Sequence, residues 1–256
     1  MKRFGYFSCI FSWLCIFLSF TANAKNVSCY DFYMRDGYTG FTFPAANFQE
    51  SLDINGLVCY QGRDISSWVA GEGMIATTAI IPDSKRALAI VTVSEVNPES
   101  FESKSSIRVI SIGDDGIPRK KDIIKQRYTE DPESSLYDMK ITGYNYEKGI
   151  VYFEVPAWAV SHAIHAFTIP FDGLHQGIKE KYITPGDLTF VNMFNLSDKK
   201  ENDDYIGYLV VNKGIIKEGE GRVYGEYLVT PEGETVCELD TNPKQGYWKS
   251  FLTCKK

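Results

Sequence analysis

Over most of its length the chain alternates apolar and polar residues, or gathers short apolar runs, between clusters of Gly, Pro, Asn and Asp. A period of two places successive side chains on opposite faces of an extended strand, whereas a helix repeats its apolar face with a longer period. The pattern predicts strands over residues 87–93, 107–112, 150–155, 163–169, 205–211, 222–230 and 235–239. Gly113-Asp114-Asp115-Gly116, Glu147-Lys148-Gly149, Phe171-Asp172-Gly173 and Pro231-Glu232-Gly233-Glu234 supply residues that pre-set a turn or accept positive φ, so each marks a tight connection. Helix signals are few. Residues 48–57 have Asn47 as an N-cap, Glu50 in the capping-box position and Gly56 near the end, and residues 122–127 suit either state. The chain is therefore expected to be all-β.

A coarser repeat lies over this pattern. Residues 80–119, 137–173 and 188–239 each open on a strand pair and close on a turn carrying Asp-Gly or Pro-Glu-Gly. Units of about 40 to 50 residues are the length of one four-stranded propeller blade. The segment Gly149-Ile150-Val151-Tyr152-Phe153-Glu154-Val155-Pro156-Ala157-Trp158, followed by Ala163-Ile164-His165-Ala166-Phe167-Thr168-Ile169 and Asp172-Gly173, reads as one such unit. It resembles the repeat of periplasmic β-propeller proteins of the TolB-like or WD40-like kind, in which a strand of this sort precedes one that ends at Asp-Gly. That resemblance implies an irregular or partial β-propeller-like set of antiparallel sheets. The units differ in length and no strand ends on Trp-Asp, which keeps a twisted β-sandwich as the alternative.

The N-terminus bears on where such sheets would form. Lys2 and Arg3 precede an apolar stretch from Phe4 to Phe20, and Ala22-Asn23-Ala24 then gives the small-residue pattern that a signal peptidase cuts after. Residues 1–24 are thus expected to be a secretory signal, and residues 25–256 one β-rich domain that is periplasmic or secreted. An uncleaved anchor is the rival, because the stretch approaches the roughly 20 apolar residues of a spanning helix. Neither Cys9 nor Cys15 follows the small residues of a lipobox, and every later apolar run is interrupted by charge, Gly or Pro, so no stable membrane insertion is expected after cleavage. Losing Lys2 and Arg3 takes the formal charge from −6 to −8. Such a surface repels phosphate backbones, which argues against nucleic acid as a partner.

Four cysteines remain in the mature chain, Cys29, Cys59, Cys237 and Cys254. An even number in an exported protein predicts two disulfides. Three pairings are open. Cys29 with Cys59 and Cys237 with Cys254 would each close a modest loop near one terminus, and this arrangement is preferred; Cys29 with Cys254 would instead clasp a closed ring. No Cys-x-x-Cys spacing favours a metal.

Candidate chemistry is sparse. The histidines are His162, His165 and His175. On a strand, residues three apart face opposite ways, so His162 and His165 are not expected to share a metal, and no metal or cofactor is assigned. Ser161 beside His162 lacks a nucleophile elbow, and no Asp is placed by sequence to orient a His. Gly219-Glu220-Gly221-Arg222-Val223-Tyr224-Gly225 has its glycines in the wrong places for a dinucleotide loop and is expected to be a turn and a bulge. Asp114-Asp115 belongs to a turn, and the charged run 199–204 to a solvated loop. Aromatics are the remaining lead. Trp158, just past Pro156 at a strand end, is the leading candidate for a partner contact, with His162 and His165 nearby in sequence. The function expected is an exported, non-enzymatic protein-binding module without catalytic residues, of the periplasmic immunity or inhibitor type, whose acidic surface would steer toward a basic protein. An envelope-acting hydrolase with acids drawn from separate blades is the alternative.

Overall fold

The computed structural model describes residues 41–42, 58–81, 88–145, 148–169, 178–192, 205–240 and 254–255, apart from positions 62, 98, 101, 113, 114, 159, 160, 218 and 220. The expected signal at 1–24, the helix over 48–57, the turn at 171–173, the charged run 199–204, His175 and Cys29 lie outside them. A small sheet comes first, made of β1 (Phe41–Thr42), β2 (Cys59–Tyr60) and β3 (Arg63–Asp64), and is followed by the short helix α1 (Ser66–Ala70). Asp64 starts α1 by accepting the Ser66 N–H at 2.8 Å on Oδ1.

Three four-stranded antiparallel meanders follow. The first sheet holds β4 (Met74–Ile81), β5 (Leu88–Val96), β6 (Ser103–Ile112) and β7 (Pro118–Lys125). The second holds β8 (Lys140–Asn145), β9 (Ile150–Trp158), β10 (Ser161–Thr168) and β11 (Lys181–Pro185). The third holds β12 (Asp187–Val191), β13 (Leu209–Lys217), β14 (Gly221–Val229) and β15 (Thr235–Glu238). Within each sheet the strands lie in chain order, so each strand pairs antiparallel with the next one along the chain. The chain is all-β with partial, propeller-like sheets, and none of them closes into a barrel.

Each strand that the alternation predicts is present. The strand expected over 205–211 begins at Leu209, because Tyr205 and Gly207 are drawn into a turn by Asn192, whose side-chain amide donates to the Tyr205 carbonyl and whose own carbonyl accepts the Gly207 N–H. Residues 122–127 resolve as strand for their first four positions, where β7 pairs with β6. The repeat is real but its frame differs, running from β4 to β7, β8 to β11 and β12 to β15.

Two-sided burial orders these layers. Along β9, Val151, Phe153 and Val155 face one way and pack with Ile90, Ile107, Val109 and Ile124 of the first sheet. Tyr152 faces the other way and packs with Leu188, Leu209, Val211 and Tyr227 of the third. The second sheet is therefore apolar on both faces, and each fully buried aliphatic or aromatic side chain there contributes about 1.5–3 kcal/mol. Val58, Val69 and Ala70 cover the outer face of the first sheet. Leu239 and Cys237 pack over Val210 and Leu228 on the outer face of the third, where Cys237 is disulfide-bonded to Cys254. Cys59 is also disulfide-bonded.

The first strands of the second and third sheets run close together at Gly143 in β8. A Cβ there would stand 2.6 Å from Leu188 Cδ2 and 2.8 Å from Val191 Cγ2, both on β12. Gly143→Ala is expected to lower stability by about 1–3 kcal/mol, the usual cost of overpacking, read as a lower urea midpoint with unchanged slope. An unchanged midpoint would show that β12 can retreat freely.

Candidate functional site

Alternation along β9 puts Glu154 on the same face as Tyr152, toward the third sheet. In β10 a register irregularity between Ser161 and His162 sets His162 opposite Pro156, and the following positions pair regularly, with Ile164 opposite Glu154. His162 and Ile164 consequently share the face that carries Glu154. The third participant comes from the next sheet. β11 ends at Pro185 and β12 starts at Asp187, so Gly186 alone joins them. Its φ of 129° is open to glycine and strained for other residues, and a Cβ would lie 2.5 Å from Val211 Cγ1. The Gly186 N–H donates to the His162 carbonyl at 2.8 Å, which ties the joint to β10.

These constraints gather Glu154, His162 and Asp187. His162 Nδ1 and Asp187 Oδ1 are 2.5 Å apart, and one ligand atom from each of the three side chains lies within 4.8 Å of the others. Glu154 is only 7% exposed, and its Oε1 accepts the Leu188 N–H at 2.5 Å. Burial pushes the Glu154 carboxyl above its ordinary range; the Leu188 N–H, His162 and Lys140 oppose that shift, and the Asp187 charge adds to it. The His162 and Asp187 side chains are about half exposed, so the cluster has a buried floor and an open mouth. An imidazole held by one carboxylate and flanked by another can pass a proton or accept a cation.

Trp158 ends β9 directly opposite Ser161, beyond the register irregularity that separates it from Glu154, with 37% of its surface exposed. The Ser161 hydroxyl points to the His162 carbonyl at 3.4 Å. His165 is a correction. Its side chain is 1% exposed, lies on the face toward the first sheet and stacks on Phe153 with centroids 5.3 Å apart, with the Tyr182 ring edge-on at 5.7 Å. A partner cannot reach it. His162 and His165 point to opposite faces, as strand geometry requires. Gly219 lies between β13 and β14, and residues 221–225 continue as β14 without a bulge, since pairing with β13 from Gly221 to Val229 is unbroken. Asp115 is a turn residue that accepts the Ile117 N–H at 3.0 Å and pairs with Arg119.

Glu154 and Asp187 are the members that sequence reasoning misses. Glu154 did leave a signal, as a lone carboxylate among Val151, Tyr152, Phe153 and Val155. Asp187 left none, because only the joint at Gly186 brings it to His162. The chain matches no protein-family model, no curated protein and no solved structure.

Neither ring nitrogen of His165 has a hydrogen-bond partner among the described residues, and burial pushes its pKa down to about 4. The unfolded chain takes up this proton near pH 6.5 while the folded chain refuses it, so stability is complete above that pH and falls as the pH drops toward 4. The loss attributable to His165 is about 3 kcal/mol at most. Urea unfolding at neutral and acidic pH is expected to show that this part of the acid sensitivity disappears in His165→Phe. Equal sensitivity in parent and variant would assign it elsewhere.

Proposed function

We propose that this chain is an exported, non-enzymatic protein-binding module that presents the rim around Trp158 to another protein, in the manner of a periplasmic immunity or inhibitor protein. The exposure of Trp158 at the end of β9, in the strand pair that also carries His162, is the observation that carries the proposal. Aromatic residues with a polar tip lead interface hot spots, and here one stands at the edge of a rigid, twice-covered sheet where a strand ends and a loop begins. The Cys237–Cys254 bond is compatible with an oxidising compartment. The acidic balance favours a basic protein over nucleic acid or an anionic membrane.

Immobilised protein is expected to retain a defined partner from periplasmic extract at low salt. Retention should weaken as salt screens the attraction, and Trp158→Ala should reduce it by about tenfold or more, the loss expected of a hot spot. Retention of nothing, or equal retention by parent and variant, would end this reading.

The second reading, a hydrolase of envelope sugars or peptides, draws on a different observation: Glu154 and Asp187 stand on separate sheets around one imidazole. There Asp187 would orient His162 while the raised Glu154 carboxyl supplied a proton. A panel of glycosidase, amidase and peptidase substrates separates the two. The binding module predicts no turnover; turnover lost in Glu154→Gln would replace it with the hydrolase.

A further inference from the structure

We propose that Glu154, His162 and Asp187 form a binding site for one zinc-class divalent cation, bridging the second and third sheets. The inference is independent of whether Trp158 docks a partner. It starts from a shortage of protons. Three acceptor groups converge within 4.8 Å, and the imidazole can donate at Nδ1 to only one of the two carboxylates. Asp187 takes that position at 2.5 Å. Glu154, more than nine-tenths buried, is left with one backbone N–H on Oε1, and its other oxygen receives no hydrogen bond from the described residues. A mostly buried carboxylate holding one donor and facing a second carboxylate has no cation in contact with it among the described residues, and a divalent ion between the three groups would supply that counter-charge.

The geometry suits that ion. Zinc bonds to imidazole nitrogen and carboxylate oxygen of about 2.0–2.2 Å place neighbouring ligand atoms about 3.3–3.5 Å apart in a tetrahedron. The present atoms span 2.5 to 4.8 Å, so a modest rotation of the half-exposed His162 and Asp187 side chains brings all three to the required spacing. The cation would take the Nδ1 lone pair, and the ring proton would move to Nε2 in the other neutral tautomer. Leu188 N–H would stay on Glu154 Oε1 as the outer bond that fixes the ligand's orientation. One imidazole with two carboxylates selects zinc and its neighbours over calcium and magnesium, which prefer oxygen alone. Three protein ligands leave the remaining position open toward the mouth, where His162 and Asp187 meet solvent.

The test uses the untagged purified protein, dialysed against chelator and then titrated by calorimetry with zinc, calcium and magnesium chlorides. One zinc per chain is expected, with a dissociation constant in the micromolar range or tighter and no comparable uptake of calcium or magnesium. His162→Gln and Asp187→Asn, which alter half-exposed side chains, should each weaken zinc binding by about tenfold or more, and His175→Gln should not. In thermal unfolding, a given zinc concentration should raise the midpoint of the parent by clearly more than that of either site variant. No saturable uptake at about 0.1 mM zinc by the folded parent would overturn the site. So would unchanged affinity in both variants, or calcium binding as tight as zinc.

Discussion

Because Gly143 has no side chain, β12 can lie against β8, and this single approach governs the second half of the molecule. Leu188 and Val191 occupy the space a Cβ would fill. Leu188 then reaches the core between the two sheets, and its backbone N–H reaches Glu154. Asp187, one residue earlier, arrives at His162 by the same placement. Interiors this dense respond to a single added methyl group, so packing and site geometry cannot be adjusted separately.

The buried polar groups of the sheets differ in how fully they are answered. Arg108 in the first sheet is 7% exposed and well supplied: Nε meets Asp122 Oδ1 at 2.6 Å, and Nη1 donates to the carbonyls of Val69 and Ala70, clipping α1 to β6. Lys213 in the third sheet donates to the Thr235 hydroxyl at 2.6 Å and lies over the Tyr227 ring, while burial lowers its pKa. Both have a structural explanation in their partners. Glu154 sits at comparable depth with a single donor, the Leu188 N–H on Oε1.

How much of this could be read from the chain depended on the distance over which each feature is determined. Strands such as β5, β9 and β10 are set by alternating β-branched and aromatic residues, and their turns by Gly and Asp, all local properties that sequence displays. The edge strands β7 and β11 were hidden, because Pro118–Lys125 is charged and Lys181–Pro185 is short; pairing with one neighbour makes them strands. The Cys237–Cys254 bond was legible from the modest loop it closes. Residue type and position single out Trp158 and His162, whereas nothing local distinguishes an inward imidazole such as His165 from an outward one until the neighbouring sheet is known. The meeting of Glu154 with Asp187 depends on how two sheets pack, which no window of sequence contains.

The one-residue joint between β11 and β12 also bears on how a chain of this kind can change over generations. A codon gained or lost at 186 would advance β12 by one position and swap its inward and outward sets, turning Leu188 away from the interior and Asp187 away from His162. Hairpin tips in solvent, such as the β6–β7 turn at Gly116, where an added Cβ would meet nothing within 4 Å, can lengthen without touching any register. A change of length is thereby tolerated at such tips and not at the joint, which holds the second and third sheets in one shared register.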